Sequence, residues 1–593
     1  MPRLLLLLAA LALFTAPPAI ATLPVVHGEP VAAAKVPAHA PRLRLGPAKA
    51  GAARVELADV SAAALERVRE RNLASPHPKA RAQSRRVVIG VVRSTDAGTG
   101  APSASQLAWA AVDGGFAARL TVASPKAESL RLAVDVLGVP EDVEMVFFGS
   151  ANPARLEGPV RVGDIPDRTS PWWTPITEGE AQTVEFFVPA GHEPRRLTLR
   201  VVRASHLFTT PSSNFTKRMD DIGKSGSCNV DVACSVLASD AAFRGAAASV
   251  AQMVFNDGAY TALCSGTLLN DADTSSQVPL FFSANHCFDN EAPPYKTSSQ
   301  MQLVASTLAT LWGFEASACG SSSPRGSWTQ RSAGAAYLFS DPQHDALLLR
   351  LNDAPPGDAY FSGWDPNPIH GGAAVATIHH PQGDLKKVTQ GSVLGYSSPG
   401  VAGGSQPFIE TLWSRGTTEG GSSGAGLWTS SGSQWLFRGA LWGGSALCTN
   451  MSGTDFYSRF DLVYPSISRY LGASGGGGTD YTDLWWDPAE SGWGLNLIQH
   501  PSRIIFGVWY TYGADGKRTW FVMSSGTWTS PNTYSGPLYS TAGPNLAQSF
   551  DASKVRVSPV GTATLTFSDA NNGTFAFTVN GIAGMKRITR QPF

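Results

Sequence analysis

The chain has 593 residues, 43% of them hydrophobic, and its 46 Lys and Arg are matched by 46 Asp and Glu. That length allows about three or four domains with packed cores. The neutral balance gives no electrostatic footprint for a nucleic-acid or membrane-surface partner.

Arg3 and the apolar residues 4–14 precede Ala19-Ile20-Ala21, a small-x-small pattern. This predicts a signal peptide over residues 1–21, cut after Ala21, and a secreted product. A membrane anchor is the rival reading, but the run falls short of the roughly 20 apolar residues that span a bilayer. Residues 22 to about 60, rich in Ala, Pro and basic side chains, read as weakly ordered. Ser61 then caps a short helix over 61–72. Between residues 86 and 208 come β-type runs such as Val87-Val88-Ile89-Gly90-Val91-Val92 and Leu130-Arg131-Leu132-Ala133-Val134, separated by Gly- and Pro-rich turns. They predict a cysteine-free β-sandwich, part of a pro-region over 22–224.

A block over 225–472 holds all six cysteines, short strands and Gly-rich turns, and closes with a helix near 467–471. An even cysteine count in an exported chain reads as disulfides. Zinc is the alternative, but there is no Cys-x-x-Cys pair and no His-Glu-x-x-His, so no metal or cofactor is expected. Residues 473–478 read as a flexible Gly-rich linker, and 479–593, rich in Trp, Tyr, Gly and Thr, as a small all-β accessory domain.

Three motifs in the block carry chemistry. Ser283-Ala284-Asn285-His286-Cys287 follows an apolar strand, Asp345 opens the apolar run Ala346-Leu347-Leu348-Leu349, and Ser423 sits in Gly420-Gly421-Ser422-Ser423-Gly424. Acyl transfer needs a nucleophile, a base, a group that orients the base, and donors for the oxyanion. Ser423, His286 and Asp345 supply the first three in the order His, Asp, Ser of double-barrel serine peptidases. The Gly421 and Ser423 N–H groups would form the oxyanion hole. Ser423 alone would be read as a turn serine. His379 and His380 compete for the base, and Asp341 and Asp353 for the carboxylate. His379 and His380 border Pro381, and neither Asp341 nor Asp353 leads an apolar run.

With these motifs in place the block resembles the bacterial lysyl endopeptidases. The resemblance runs through Ser225-Gly226-Ser227-Cys228-Asn229-Val230-Asp231-Val232-Ala233-Cys234, Cys264-Ser265-Gly266-Thr267-Leu268, Asn285-His286-Cys287, Gly363-Trp364-Asp365, Ile378-His379-His380-Pro381, the 418–424 turn and Gly443-Gly444. It covers most of 225–472 and implies a mainly β, chymotrypsin-like double β-barrel acting on protein or peptide substrates. It also implies the pairings Cys228 with Cys448, Cys234 with Cys319, and Cys264 with Cys287.

The family's specificity carboxylate lies in an Asp-x-Tyr-Gly-Arg stretch, matched by Asp455-Phe456-Tyr457-Ser458-Arg459 with Ser458 in place of glycine. The match implies cleavage after Lys, with Arg also admissible. The alternative is that Asp455 pairs with Arg459 or caps a turn. The family stacks a His and a Trp beside the triad. Here Trp442 stands at the His position, and Tyr396 aligns loosely with the Trp.

Ser422 replaces the Asp that, in trypsin-type zymogens, receives the new N-terminus, so activation is expected not to depend on N-terminal insertion. Instead the pro-domain would aid folding and block the cleft until a cut at Lys224-Ser225. The accessory domain could contact glycan or cell wall through exposed aromatics, although core packing of its tryptophans is the simpler reading. A monomer is expected. The rival functions are a serine endopeptidase of other P1 specificity, or a secreted binding protein with an inactive peptidase domain.

Overall fold

The computed structural model describes residues 23–32, 40–46, 53–73, 86–95, 102–210, 224–273, 275–289, 293–398, 408–472, 480–499, 504–530, 532–545 and 550–591. The expected signal peptide 1–21 and linker 473–478 lie outside them.

The β-type runs between 86 and 208 form a two-layer sandwich. One sheet has the order Ala53–Glu56, Gly115–Ala123, Ala181–Pro189, Glu144–Gly149, Glu157–Arg161. The facing layer contains Ser129–Asp135, Arg200–Leu207 and Val87–Ser94. Strand residues of alternate parity fill the space between: Leu120 and Val122, Val184 and Phe186, Met145 and Phe147 from one side, Leu132, Val134 and Val201 from the other. Ala62–Leu73 is the expected helix, with Ala64 N–H donating to Ser61 Oγ at 3.2 Å.

Parts of 22–60 are ordered, against the expectation from composition. Glu29–Pro30 pairs with Tyr360–Phe361, and Ala53–Glu56 pairs in parallel with 120–123. Such short strands carry no periodic signal; the edges they join supply their hydrogen bonds.

The second sandwich sheet does not end within the pro-region. Val87–Ser94 lies between Arg200–Leu207 and Tyr260–Leu269, so it is continuous with the strands of the cysteine-bearing block. There, Val250–Asp257, Tyr260–Leu269, Leu280–Ser283, Ala346–Leu351 and Ala335–Asp341 pair in succession around a core that includes Phe255, Phe281, Leu347 and Leu349. A second unit closes on itself. Lys387–Ser397, Ala374–His379, Gly426–Ser431, Gln434–Gly444, Thr454–Tyr457 and Phe408–Arg415 follow one another, and the last pairs with the first. Together they make the chymotrypsin-like double barrel.

The closing helix spans Phe460–Ile467 rather than 467–471. Its buried Phe460, Val463, Tyr464 and Ile467 have the spacing of one helix face, which Pro465 disguises in the sequence. Beyond the linker, eight strands form a closed antiparallel barrel. Asp483–Trp486 pairs with both Gly494–Gln499 and Ile582–Arg590, and Val522 meets Tyr539 across the other seam. Trp485, Trp509, Tyr534, Phe567 and Phe575 fill its interior.

Candidate active site

Three chain-distant segments meet on one strand. Ser265, fully buried on Tyr260–Leu269, donates its N–H to the Ser423 carbonyl oxygen at 2.8 Å and its hydroxyl to the Gly421 carbonyl oxygen at 3.1 Å. Its own carbonyl oxygen accepts the Ser283 hydroxyl at 2.9 Å, and its hydroxyl accepts the His380 N–H at 3.0 Å. One residue thus ties the serine turn to the loop before His286.

Register does the rest. Leu280–Ser283 pairs with Ala346–Leu351 so that Ser283 faces Leu347. The residues just beyond each strand end, 285–286 and 345, are therefore neighbours. His286 sits in the one-turn helix Asn285–Phe288, with Cys287 disulfide-bonded to Cys264. Asp345 takes φ 51, a left-handed conformation that Asp tolerates better than most residues. Its carboxylate accepts the His286 backbone N–H at 2.9 Å and meets His286 Nδ1 at 2.8 Å. Both side chains are almost wholly buried.

The serine turn needs its glycines. Gly421 and Gly424 have φ of 85 and 80. A Cβ on Gly424 would lie 2.1 Å from Ser283 Oγ and 3.0 Å from the Ala284 N, which shows how closely the turn approaches the His286 loop. Within the turn, the Ser422 N–H is spent on Glu419 O and the Gly424 N–H on Leu441 O. The Gly421 and Ser423 N–H groups have no backbone acceptor among the described residues. Among the described residues no hydrogen bond joins His286 Nε2 to the Ser423 hydroxyl.

The competing side chains have other occupations. His379 Nδ1 meets Ser422 Oγ at 2.7 Å and its Nε2 meets Thr389 Oγ1 at 3.2 Å, while burial pulls its pKa down to about 3. His380, stacked on Phe314, is likewise held well below the usual imidazole range by burial. Asp341 pairs with His344, and Asp353 accepts the Ala333 N–H.

A cleft of about 680 Å³ opens beside Ser423, walled by Leu441, Gly443, Gly444, Ala446, Thr418 and Lys224. Asp455 lies under the Gly444 wall and is completely buried. Trp413 Nε1 and Thr418 Oγ1 both donate to its Oδ2, at 2.6 and 2.7 Å. Its Oδ1 makes no close hydrogen bond among the described residues, although the Ala446 N–H faces the carboxylate. The position a Cβ on residue 444 would occupy is 2.0 Å from that oxygen, so only glycine fits between the cleft and Oδ1. Burial raises the Asp455 pKa to about 6 in spite of its donors. Arg459 pairs with Asp461 instead. The roles of Trp413, Thr418 and Gly444 around Asp455 were not legible in the sequence.

Trp442 packs between Phe408 and Phe456, with ring centroids 6.1 and 6.2 Å away. The loose alignment of Tyr396 with the neighbouring aromatic needs correction. In the second barrel Tyr396 stands on the strand 387–397, which does not pair with the 434–444 strand that carries Trp442. Tyr396 instead lies under Arg459 and bonds Ile369, and the rings against Trp442 are Phe408 and Phe456. The remaining cysteines pair as Cys228–Cys448 and Cys234–Cys319.

Two family descriptions match this chain: the lysyl endopeptidase N-terminal domain over residues 56–208 and the lysyl endopeptidase C-terminal domain over 222–458. A lysyl endopeptidase of Pseudomonas aeruginosa is 35% identical over 373 residues, covering 60% of this chain and 76% of that one. Among solved structures, the Rv3671c protease of M. tuberculosis is 16% identical, covering 41% of this chain and 88% of that one, with a TM-score of 0.27. The HtrA-type protease AlgW is 14% identical, covering 59% and 95%, with a TM-score of 0.26. Likeness that low carries no weight in the assignment. On its relatives and its double-barrel fold the protein is a serine endopeptidase. The chain belongs to the lysyl endopeptidase family.

Proposed function

We propose that the protein is a secreted preproenzyme that cleaves peptide bonds after lysine. Ser423 Oγ attacks the scissile carbonyl carbon while His286 Nε2 takes its proton. Asp345 holds the Nδ1–H and stabilises the imidazolium. The Gly421 and Ser423 N–H groups donate hydrogen bonds to the oxyanion that develops on the carbonyl oxygen, each such donor being worth roughly 10²–10³ in rate. His286 then protonates the leaving amine, and water releases the acyl group by the reverse path.

The observation that carries the lysine reading is the buried Asp455 carboxylate, whose Oδ1 lies directly behind Gly444 of the cleft beside Ser423. A buried carboxylate without a countercharge is costly, and a substrate ammonium would relieve that cost. Cleavage of peptide libraries randomised at P1 tests this. Cuts after Lys, lost when Asp455 becomes Asn, are expected; a preference for apolar or acidic P1 residues would reject the assignment.

The sandwich of the pro-region is read as folding aid and inhibitor, since it adds a strand to the first barrel at Tyr260–Leu263. Lys224 on the cleft wall favours a self-cut at Lys224-Ser225. The enzyme is taken to act as a monomer, with the C-terminal barrel contacting glycan or cell wall. Tyr510 and Trp520, a cross-strand pair, and Tyr512 are exposed on its outer face and could stack on sugar rings.

A further inference from the structure

The residues that follow Lys224 are seated on carboxylates. The Ser225 N–H donates to Asp384 Oδ2 at 3.0 Å, and the Ser225 hydroxyl donates to the same oxygen at 2.6 Å. The next N–H, of Gly226, donates to Glu419 Oε1 at 3.0 Å. Glycine is required there, because a Cβ would stand 2.5 Å from Cys448 Sγ and 2.7 Å from Glu419 Oε1.

Charge around Asp384 is unbalanced. Lys387 Nζ serves Asp231 at 2.5 Å and Asp384 at 3.6 Å, one ammonium for two carboxylates. The other titratable groups facing this corner are Glu419, Lys224 on the cleft wall, and His380, whose Nδ1 meets the Asp384 carbonyl oxygen at 3.0 Å. His380 is kept neutral by burial. A backbone amide cannot supply the missing positive charge; an α-ammonium can.

We propose that Asp384 is the acceptor for the α-ammonium created at Ser225, and that this ion pair positions the oxyanion loop. The inference rests on the Lys224-Ser225 cut of the proposed function. In that cut the C–N bond breaks, the water oxygen ends in the Lys224 carboxylate, and the Ser225 nitrogen takes up the two water protons to become an ammonium. The hydrogen bond from a neutral amide to the Asp384 carboxylate becomes an ion pair in which both partners are charged.

The link to the reacting atoms runs through the turn that ends at Asp384. Gln382 in this turn holds φ 54, a strained value for a residue with a side chain. From that position its N–H donates to the Gly420 carbonyl oxygen at 2.6 Å. A Cβ on Gly421 would be 3.0 Å from His380 O and 3.2 Å from Gly383 N, so the two turns are in contact along their length. Fixing Asp384 fixes one wall of the loop that carries the Gly421 and Ser423 N–H groups. The expectation from Ser422 concerns the residue before Ser423; Asp384 is a different carboxylate, in the neighbouring turn. Asp384 is a positioning residue, and the effect belongs in kcat.

The test uses the full chain, processed and sequenced from its N-terminus, as wild type, Asp384→Asn and Asp384→Glu. All three are expected to start at Ser225. Asp384→Asn should lower kcat roughly tenfold, within the range such couplings span, with KM little changed and partial rescue by Asp384→Glu. The wild-type kcat should fall at alkaline pH as the ammonium deprotonates above its ordinary value of about 8, and Asp384→Asn should lack that limb. Selective acylation of the α-amine of folded wild-type enzyme should reproduce the Asn variant. An enzyme that starts at Ser225 and keeps wild-type kcat and alkaline profile in Asp384→Asn overturns the inference alone. A different mature N-terminus overturns the Lys224 cut and the pairing with it.

Discussion

Burial holds the Asp455 carboxyl up at about 6, against 3.8 for a free side chain. A raised carboxyl pKa means the folded state binds the proton more tightly than the unfolded one. This group therefore costs stability above about pH 6, about 3 kcal/mol for two pKa units. The cost is recovered as pH falls through about 6 toward 3.8. Asp455→Asn should consequently melt no lower than wild type at alkaline pH, while kcat/KM on Lys peptides drops about a hundredfold or more, the scale of a broken buried charge pair. Melting and peptide kinetics on the two proteins check both halves. In wild type, kcat/KM for Lys substrates should rise with pH through about 6 as Asp455 ionises. Gly424 gives a second expectation. With Ser283 Oγ 2.1 Å from any added Cβ, Gly424→Ala should abolish activity through displacement of the serine turn, measured as loss of active-site labelling. His286, Asp345 and Ser423 could be read from the sequence as a candidate triad because each stands in its own local setting of strand, strand start and glycine turn. Ser265, Phe408 and Asp384 could not, because their partners lie far along the chain: 159 residues separate Ser225 from Asp384.

At the scale of elements, the strand Val87–Ser94 joins two units that composition treats as separate. Its alternation and its bounding turns were legible, but its partner was not. Backbone pairing at a sheet edge leaves no side-chain signature in either strand. The Val92 N–H donates to the Ala259 carbonyl oxygen at 2.8 Å across this seam. Val92→Pro removes that donor, and the yield of secreted enzyme should fall several-fold. On the proposed maturation the strand belongs to the part removed, so the kcat/KM of whatever matures should remain that of wild type. The closed ring of the C-terminal barrel was similarly invisible, since closure depends on the last strand meeting the first.

Over the whole molecule, pro-region and peptidase share a sheet, a core and a buried cation. Arg131 is fully buried, donates to Thr307 O at 2.9 Å across the seam and to Thr174 O at 3.2 Å, and among the described residues leaves Nη2 without a hydrogen bond. Burial lowers its pKa to about 9. Replacing a poorly compensated buried charge with an apolar side chain often stabilises, so Arg131→Met should raise the melting temperature of the uncut Ser423→Ala chain. It should also slow the appearance of activity in the Ser423-intact chain. Removal of residues 480–591 should leave kcat/KM on soluble peptides within about twofold, since surface regions away from a site rarely alter it. All of this depends on Ser423 being the nucleophile activated by His286. The direct measurement is peptide mapping of the processed enzyme after reaction with a serine-directed phosphonate. The adduct is expected on Ser423 and should vanish in His286→Ala; an adduct on another serine, or none in an enzyme that still cleaves Lys peptides, would contradict the account.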